Sequence, residues 1–167
     1  VHQHILDFAK KHRGRITGRV IDVGSYEVNG GLRSVLPITL GVDMAPGPGV
    51  DQVCNVGDLI STFGAESFDS VCSADALEHM EDWDSALTNM WTILKTGGVF
   101  LITMANPKKG FHGYPSDYHR MDMDTFKRVF AGNQLHGEFF GGPSMGVCVS
   151  KQTPSLDLNI RPLPVKR

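Results

Sequence analysis

VIDVGSYEVNGG, residues 20–31, passes from four strand-forming positions straight into a turn that holds three glycines. In an open α/β sheet the ligand lies beyond the carboxyl ends of the strands, where the first strand turns toward its helix. Asp22, Val23 and Gly24 stand at that point. A dinucleotide loop reads G-x-G-x-x-G, its second glycine letting backbone approach a pyrophosphate. Here Tyr26 occupies that position. A carboxylate at Asp22 sits badly beside two phosphates but suits a ligand with a cationic amino end. The glycines alone also fit a plain tight turn with Asp22 as an exposed charge.

Working outward, Ile5, Leu6, Phe8 and Ala9 mark a short opening helix, and a first strand runs from Arg19 to Val23. TLGVD gives a second strand ending at Asp43, VDQVC a third and FDSVCS a fourth, with LISTF a short helix between the last two. These runs are apolar with little alternation, as strands covered on both faces are. Leu77, Met80, Trp83, Leu87, Met90, Trp91 and Leu94 recur at helical spacing and predict one long helix stopped by Gly97-Gly98, with Trp83, Met90 and Trp91 in the core. VFLITM is a fifth strand, DMDTFKRVF a helix begun by Asp122 or Asp124, and QLHGEFF and MGVCVSK close the chain as a short-turned pair around GGPS. The predicted fold is therefore α/β: a Rossmann-like parallel sheet with helices on both faces, in three αβα layers, and an antiparallel last strand. Residues 1–150 form one domain, and 151–167 an extended tail with three prolines, partly mobile.

The 167 residues suffice for one core and one principal site. With 16 Lys+Arg against 18 Asp+Glu, the chain lacks the basic footprint that grips a phosphate backbone, so nucleic acid is a poor first expectation. Cys54, Cys72 and Cys148 sit in apolar runs and read as small buried hydrophobes rather than disulfides or a zinc cluster. No apolar run reaches membrane-spanning length. A cytoplasmic location is expected; the oligomeric state is not readable.

Asp43, closing the second strand, is placed to accept from a ribose diol, and Met44 can cover a purine face. That asks for a nucleoside without phosphates. DVGSYEVNG, GVDMAPGPGVD, FDSVCSADALEHMEDWDSAL and ILKTGGVFLITM together resemble class I S-adenosylmethionine-dependent methyltransferases of the small type 11 group, over about residues 18–131. Where members commonly carry D-V-G-C-G-x-G, a subgroup with G-S-x-x-V-N-G is similar to this chain. The resemblance implies S-adenosylmethionine as cofactor, S-adenosylhomocysteine as its product, and a seven-stranded sheet with a reversed last strand. It implies that Asp22 orients the ammonium group, that Gly24, Ser25 and Ser73 line the methionyl part, and that Asp43 and Met44 hold ribose and adenine. Asn55 takes the place of an aspartate that accepts from the adenine amino group, and Val56 adds a backbone N–H.

Methyl transfer from a sulfonium needs a positioned acceptor and, where that acceptor must lose a proton, a base. Candidates follow the fourth strand (His79) and the fifth (His112, Asp117 and His119, with Tyr114 in the same loop); the loop is similar to the P-x-D-Y-x-R segment of some type 11 enzymes. His79 can equally cap or pack. Tyr118 and Arg120 are expected to hold the loop together. Asp75, Glu78 and His79 spell D-x-x-E-H, similar to the E-x-x-E-H motif of metal-dependent RNA-end and quinone-ring methyltransferases, although L-E-H also occurs in type 11 enzymes without metal. No metal is assigned. The expected activity is methyl transfer to an oxygen or nitrogen of a small-molecule or sugar-like acceptor. Alternatives are a cofactor-binding but catalytically silent partner protein, a metal-dependent methyltransferase using D-x-x-E-H, or a nicotinamide-dependent oxidoreductase.

Overall fold

A computed structural model of the chain describes residues 1–112 and 116–165. Helix α1 (Gln3–His12) leads into β1 (Val20–Val23), whose four residues are all buried. β2 (Leu40–Asp43), β3 (Gln52–Val53), α2 (Leu59–Phe63) and β4 (Phe68–Ala74) follow, then α3 (Trp83–Ile93), which runs directly into β5 (Leu94–Ala105). A short β6 (His119–Arg120) precedes α4 (Met123–Val129), β7 (Gln134–Gly141), β8 (Ser144–Ser150) and β9 (Leu163–Pro164).

Seven strands form one sheet in the order β3-β2-β1-β4-β5-β8-β7. The first five are parallel; β8 runs antiparallel to both β5 and β7. This is the expected parallel sheet with a reversed strand at the end. Apolar side chains leave both faces. Val20, Leu101 and Cys148 pack with Ile5, Phe8, Leu32 and Leu36 on one side, whereas Ile21, Phe100, Ile102 and Val147 pack under Leu59, Leu87, Trp91 and Phe126 on the other. Trp91, Phe100 and Phe130 meet ring to ring at 5.7–5.9 Å. The three cysteines are free and buried, as expected of small hydrophobes.

The long helix differs from expectation at both ends. The long helix predicted from Leu77 is broken: Leu77–His79 form a 3-10 turn, Met80 is extended, and α3 starts only after Asp82, whose side chain accepts from the Ser85 N–H. At the other end Leu94 is already extended, so Gly97-Gly98 does not stop the helix but sits in β5, where Gly97 adopts φ +82° at an irregularity in the β4–β5 register. Helical spacing survived across the break because both segments face the same core. Between β1 and β2, residues 24–39 hold only the 3-10 turn Leu32–Ser34. Asn29-Gly30-Gly31 and Pro37 are poor helix formers that bracket it.

From Lys151 the tail runs extended across the second face. Leu156, Leu158 and Ile160 pack on the core there. The Trp91 indole N–H donates to the Thr153 carbonyl at 3.1 Å, and β9 pairs antiparallel with β6. No helix among the described residues is long and apolar enough to cross a membrane.

Candidate functional site

β1 lies between β2 and β4, with Asp22 opposite Gly41 on one side and Cys72 on the other. The parallel registers bring Asn55, Asp43, Gly24 and Ser73, each at or just past the carboxyl end of its strand, into one row across the sheet. Gly24 and Ser25 both donate their N–H to the Val42 carbonyl, at 2.9 and 3.0 Å, which turns the chain sharply away from β1. Gly24 does this at φ +81°, and a Cβ there would lie 2.6 Å from that of Ala76. The turn needs glycine on both counts.

Asp22 is 5% exposed, so it is not the exposed strand-end charge that a plain turn would allow. Burial pushes its carboxyl up to about 7, against the pull of the Arg33 guanidinium. Asp22 Oδ1, Ser25 Oγ and Ser73 Oγ are buried without a hydrogen-bond partner among the described residues. Buried polar atoms are normally bonded. Three orphans beside a glycine that lets backbone come close fit a polar, amino-bearing ligand.

Asp43 accepts from the Tyr26 N–H at 3.3 Å and the Ala45 N–H at 3.2 Å. An ionised carboxylate has about four acceptor sites, so two hydroxyls can still be held. Met44, 72% exposed, stands open beside it. Asn55 Oδ1 accepts from the Gly57 N–H at 2.9 Å and opens a 3-10 turn, while the half-buried Val56 gives its carbonyl to the Asn89 amide. Sequence reading missed the supports of this row. Asp51 accepts from the Gly41 N–H at 2.7 Å and pairs with Arg33, and the Tyr26 ring lies so close to Gly47 that no Cβ would fit there.

On the β5 side, the structure brings together three of the four candidate catalytic residues. His79 and His112 face each other with Nε2 atoms 3.3 Å apart. Asp117 Oδ2 accepts from the His112 backbone N–H at 2.9 Å and lies 2.9 Å from its Nδ1. Arg120, 3% exposed, grips both Asp117 oxygens and donates to the Gly110 and His119 carbonyls, so it holds the loop as expected. Burial would raise the Asp117 carboxyl, but the Arg120 guanidinium and the His112 N–H outweigh it and hold it at about 2. Burial, with Lys109 nearby, pushes the His112 imidazole toward its neutral form. The fourth candidate, His119, is turned away: its Nε2 bonds the Glu81 carbonyl at 2.8 Å. Tyr114 lies outside the described residues.

Asp75 has both oxygens occupied, by the hydroxyls of Thr103 at 2.9 Å and Ser144 at 2.6 Å. Glu78, fully buried with neither oxygen in a well-formed hydrogen bond among the described residues, had only its place in D-x-x-E-H to mark it. A cavity of about 510 Å³, lined by Lys108, Lys109, Arg120 and Leu163 among others, opens on this side of the molecule.

A sequence profile described as a methyltransferase domain matches residues 39–102, from β2 into β5. The chain has the fold of class I methyltransferases, and this stretch of it matches a methyltransferase domain. Its fold recurs in the methyltransferase of a complex with the Trm112 methyltransferase activator from Haloferax volcanii, at TM-score 0.66 and 17% identity, covering 91% of this chain and 90% of that one. It recurs in 1,6-didemethyltoxoflavin-N1-methyltransferase of Burkholderia thailandensis, at TM-score 0.70 and 14% identity over 90% and 78%; that structure holds S-adenosylhomocysteine. A SAM-dependent methyltransferase from Archaeoglobus fulgidus matches at TM-score 0.66 and 14% identity over 89% and 94%. At these identities the likeness is one of fold. No curated protein sequence matches the chain. S-adenosylmethionine is the cofactor of such a domain, and the orphaned oxygens at the ends of β1 and β4 suit its amino acid part.

Proposed function

We propose that the methyltransferase domain moves the methyl group of S-adenosylmethionine to an oxygen or nitrogen of a small-molecule or sugar-like acceptor. The observation that carries this reading is the row at the carboxyl ends of the strands: Asp22, Ser25 and Ser73 with unpartnered buried oxygens, Asp43 with spare acceptor capacity, and Met44 open. When bound, the cofactor supplies an activated methyl on a good leaving group, so the protein's work is positioning and exclusion of water. Asp22 neutralises the ammonium end, and Ser25 and Ser73 bond the amino acid part. Asp43 takes the ribose hydroxyls, Met44 covers the adenine, and Asn55 and Val56 meet its polar edge.

The acceptor is assigned to the opposite side, where His79, His112 and Asp117 converge; Arg120, which grips Asp117, also lines the cavity. One of the two imidazoles takes the acceptor's proton. The Burkholderia protein is described as acting on a ring nitrogen of a small molecule, which supports an acceptor of that scale. A nicotinamide cofactor is disfavoured by the Asp22 carboxylate and by Tyr26, which closes on Gly47 where a pyrophosphate would need backbone.

Calorimetry with S-adenosylmethionine, S-adenosylhomocysteine and NAD tests the cofactor. Micromolar binding of the first two without the third is expected, and tighter NAD binding would sink the reading. Transfer of labelled methyl to a pool of small hydroxyl and amine compounds tests turnover. Cofactor binding without transfer would favour a catalytically silent partner, a reading supported by the Tyr26 loop and the small size of the domain.

A further inference from the structure

His79 and His112 meet edge to face, with ring centroids 4.8 Å apart and Nε2 atoms at 3.3 Å. What lies behind each ring decides what lies between them. His79 Nδ1 bonds the Ser116 carbonyl, which can only accept, so this nitrogen carries the proton. His112 Nδ1 lies 2.9 Å from an Asp117 carboxylate oxygen and 3.5 Å from an Arg120 guanidinium nitrogen; the nearer carboxylate favours the proton there too. Both Nε2 atoms then present lone pairs to each other at hydrogen-bond distance. Two lone pairs so placed repel unless a cation sits between them.

Glu78 supplies an independent sign. One of its carboxylate oxygens and a ring nitrogen of each histidine all lie within 4.8 Å of one another. Both of its oxygens are buried without a well-formed hydrogen bond among the described residues; the backbone N–H groups of Ala105 and of Glu78 itself lie near them, and Lys109 Nζ stays 3.8 Å away. A buried carboxyl held so weakly has acceptor capacity for a ligand.

We propose that Glu78, His79 and His112 form a site for a divalent metal ion of the zinc class at the carboxyl end of β4. A tetrahedral ion 2.0–2.1 Å from each of two nitrogens sets them about 3.3–3.4 Å apart, the spacing already present between the two Nε2 atoms. Glu78 completes the set by a side-chain movement of roughly 1.5 Å toward the pair. Two imidazoles and one carboxylate are a borderline donor set that suits zinc, cobalt(II) or iron(II) rather than magnesium or calcium. Imidazole ligands characteristically give their other ring nitrogen to a carbonyl or carboxylate, as Ser116 and Asp117 provide here, and Arg120 fixes Asp117 in turn. Asp75, first letter of D-x-x-E-H, is not in the cluster: its oxygens are turned to the Thr103 and Ser144 hydroxyls, and the ligand atoms that converge among the described residues are those of Glu78, His79 and His112. Three protein ligands leave a fourth position open to water or to an oxygen of a bound molecule. The ligands come from the segments after β4 and β5, apart from the row assigned to the cofactor, so metal binding does not depend on cofactor binding; a bound ion takes both Nε2 lone pairs and so replaces the imidazole base of the proposed reaction.

The test uses protein stripped with EDTA and carrying His2→Ala and His4→Ala, which remove the stacked N-terminal histidine pair as a rival site. It is titrated with zinc chloride by calorimetry and with cobalt(II) chloride by visible absorption. One equivalent of each ion is expected, cobalt giving the intense bands of a tetrahedral complex. His79→Ala and His112→Ala should each weaken zinc by more than roughly 100-fold, and Asp117→Asn by roughly 10- to 100-fold. Glu78→Gln, which keeps the shape of a side chain without well-formed bonds to lose, should weaken zinc while leaving the far-UV spectrum unchanged. Absence of saturable uptake, or uptake undiminished in both histidine variants, would overturn the site. Titration of the same samples with S-adenosylhomocysteine keeps the two readings separate: if that ligand binds and zinc does not, the metal site alone falls.

Discussion

Ser144 donates its hydroxyl to Asp75 Oδ2 at 2.6 Å across 69 positions of sequence, and so fastens the end of β4 to the start of β8. Thr103 on β5, between them in the sheet, donates to the other oxygen at 2.9 Å, and its own hydroxyl oxygen accepts from the Asp75 N–H at 3.0 Å. Asp75 holds this position at φ +48°, a conformation that Asp and Asn tolerate better than most residues. The turn carrying Glu78 and His79 springs from this knot. Asp75→Ala should therefore cost about 2–4 kcal/mol in urea unfolding, since it strands two hydroxyls and adds backbone strain, and Ser144→Ala about 1 kcal/mol. The double variant should show coupling between the two. Asp75→Asn should keep zinc binding, which a liganding Asp75 would not.

Asp22 makes the proposed cofactor site sensitive to pH. Its carboxyl, raised from 3.8 to about 7, holds a proton in the folded state that the unfolded chain has already released. Stability contributed by that proton is complete below pH 4 and is lost as pH rises through 7, a difference of roughly 4 kcal/mol if the whole shift is realised. Asp22→Asn should flatten the decline between pH 4 and 7 and leave the protein more stable at pH 8. Affinity for S-adenosylmethionine should run the other way, falling as pH drops below 7 in the native protein and low at every pH in the variant. Calorimetry in two buffers of different ionisation enthalpy would detect the proton released on binding.

The glycine turn makes a sharper claim. Gly24→Ala meets both a φ of +81° and a contact of 2.6 Å with Ala76, so a cost of about 1–3 kcal/mol and loss of cofactor binding are expected. Gly14 has ordinary φ and nothing within 4 Å of its would-be Cβ. Gly14→Ala should leave cofactor binding alone and gain about 0.4–1 kcal/mol.

Lys151, 3% exposed, gives its ammonium to the Trp91 and Leu94 carbonyls at 2.8 and 2.7 Å, closing the carboxyl end of α3. Lys151→Met keeps the apolar stem but leaves two carbonyls unbonded. A loss of about 2–3 kcal/mol is expected from denaturant midpoints, without change in cofactor affinity.

The strands were legible because each is a short apolar run closed by a polar or glycine residue, and two-faced burial leaves that pattern with little alternation. The break before α3 was not, since Leu77 and Met80 keep helical spacing with Trp83 while the backbone between them leaves the helix. That Asp22, Asp43, Asn55 and Ser73 share one edge of the sheet was readable from their places at strand ends. Glu78 was harder to see, because one glutamate in a polar run looks like any surface charge. Only the fold shows that it is buried beside two imidazoles that come from segments 33 residues apart. The buried Lys151 is hidden for the same reason: nothing local predicts that a lysine ending a strand will close a distant helix.

The sheet order also governs how the chain must be made. β5 finds its antiparallel partner only in β8, which pairs from Val99 with Ser150 to Ala105 with Ser144. A nascent chain that stalls before Ser144 has already buried its helices against β1, β4 and β5, yet carries β5 as a long open border of apolar residues and unanswered amides. Such a border recruits strands from other molecules. Truncations upstream of β8 should therefore accumulate as aggregates rather than as smaller folded domains, the last hairpin being what covers that border.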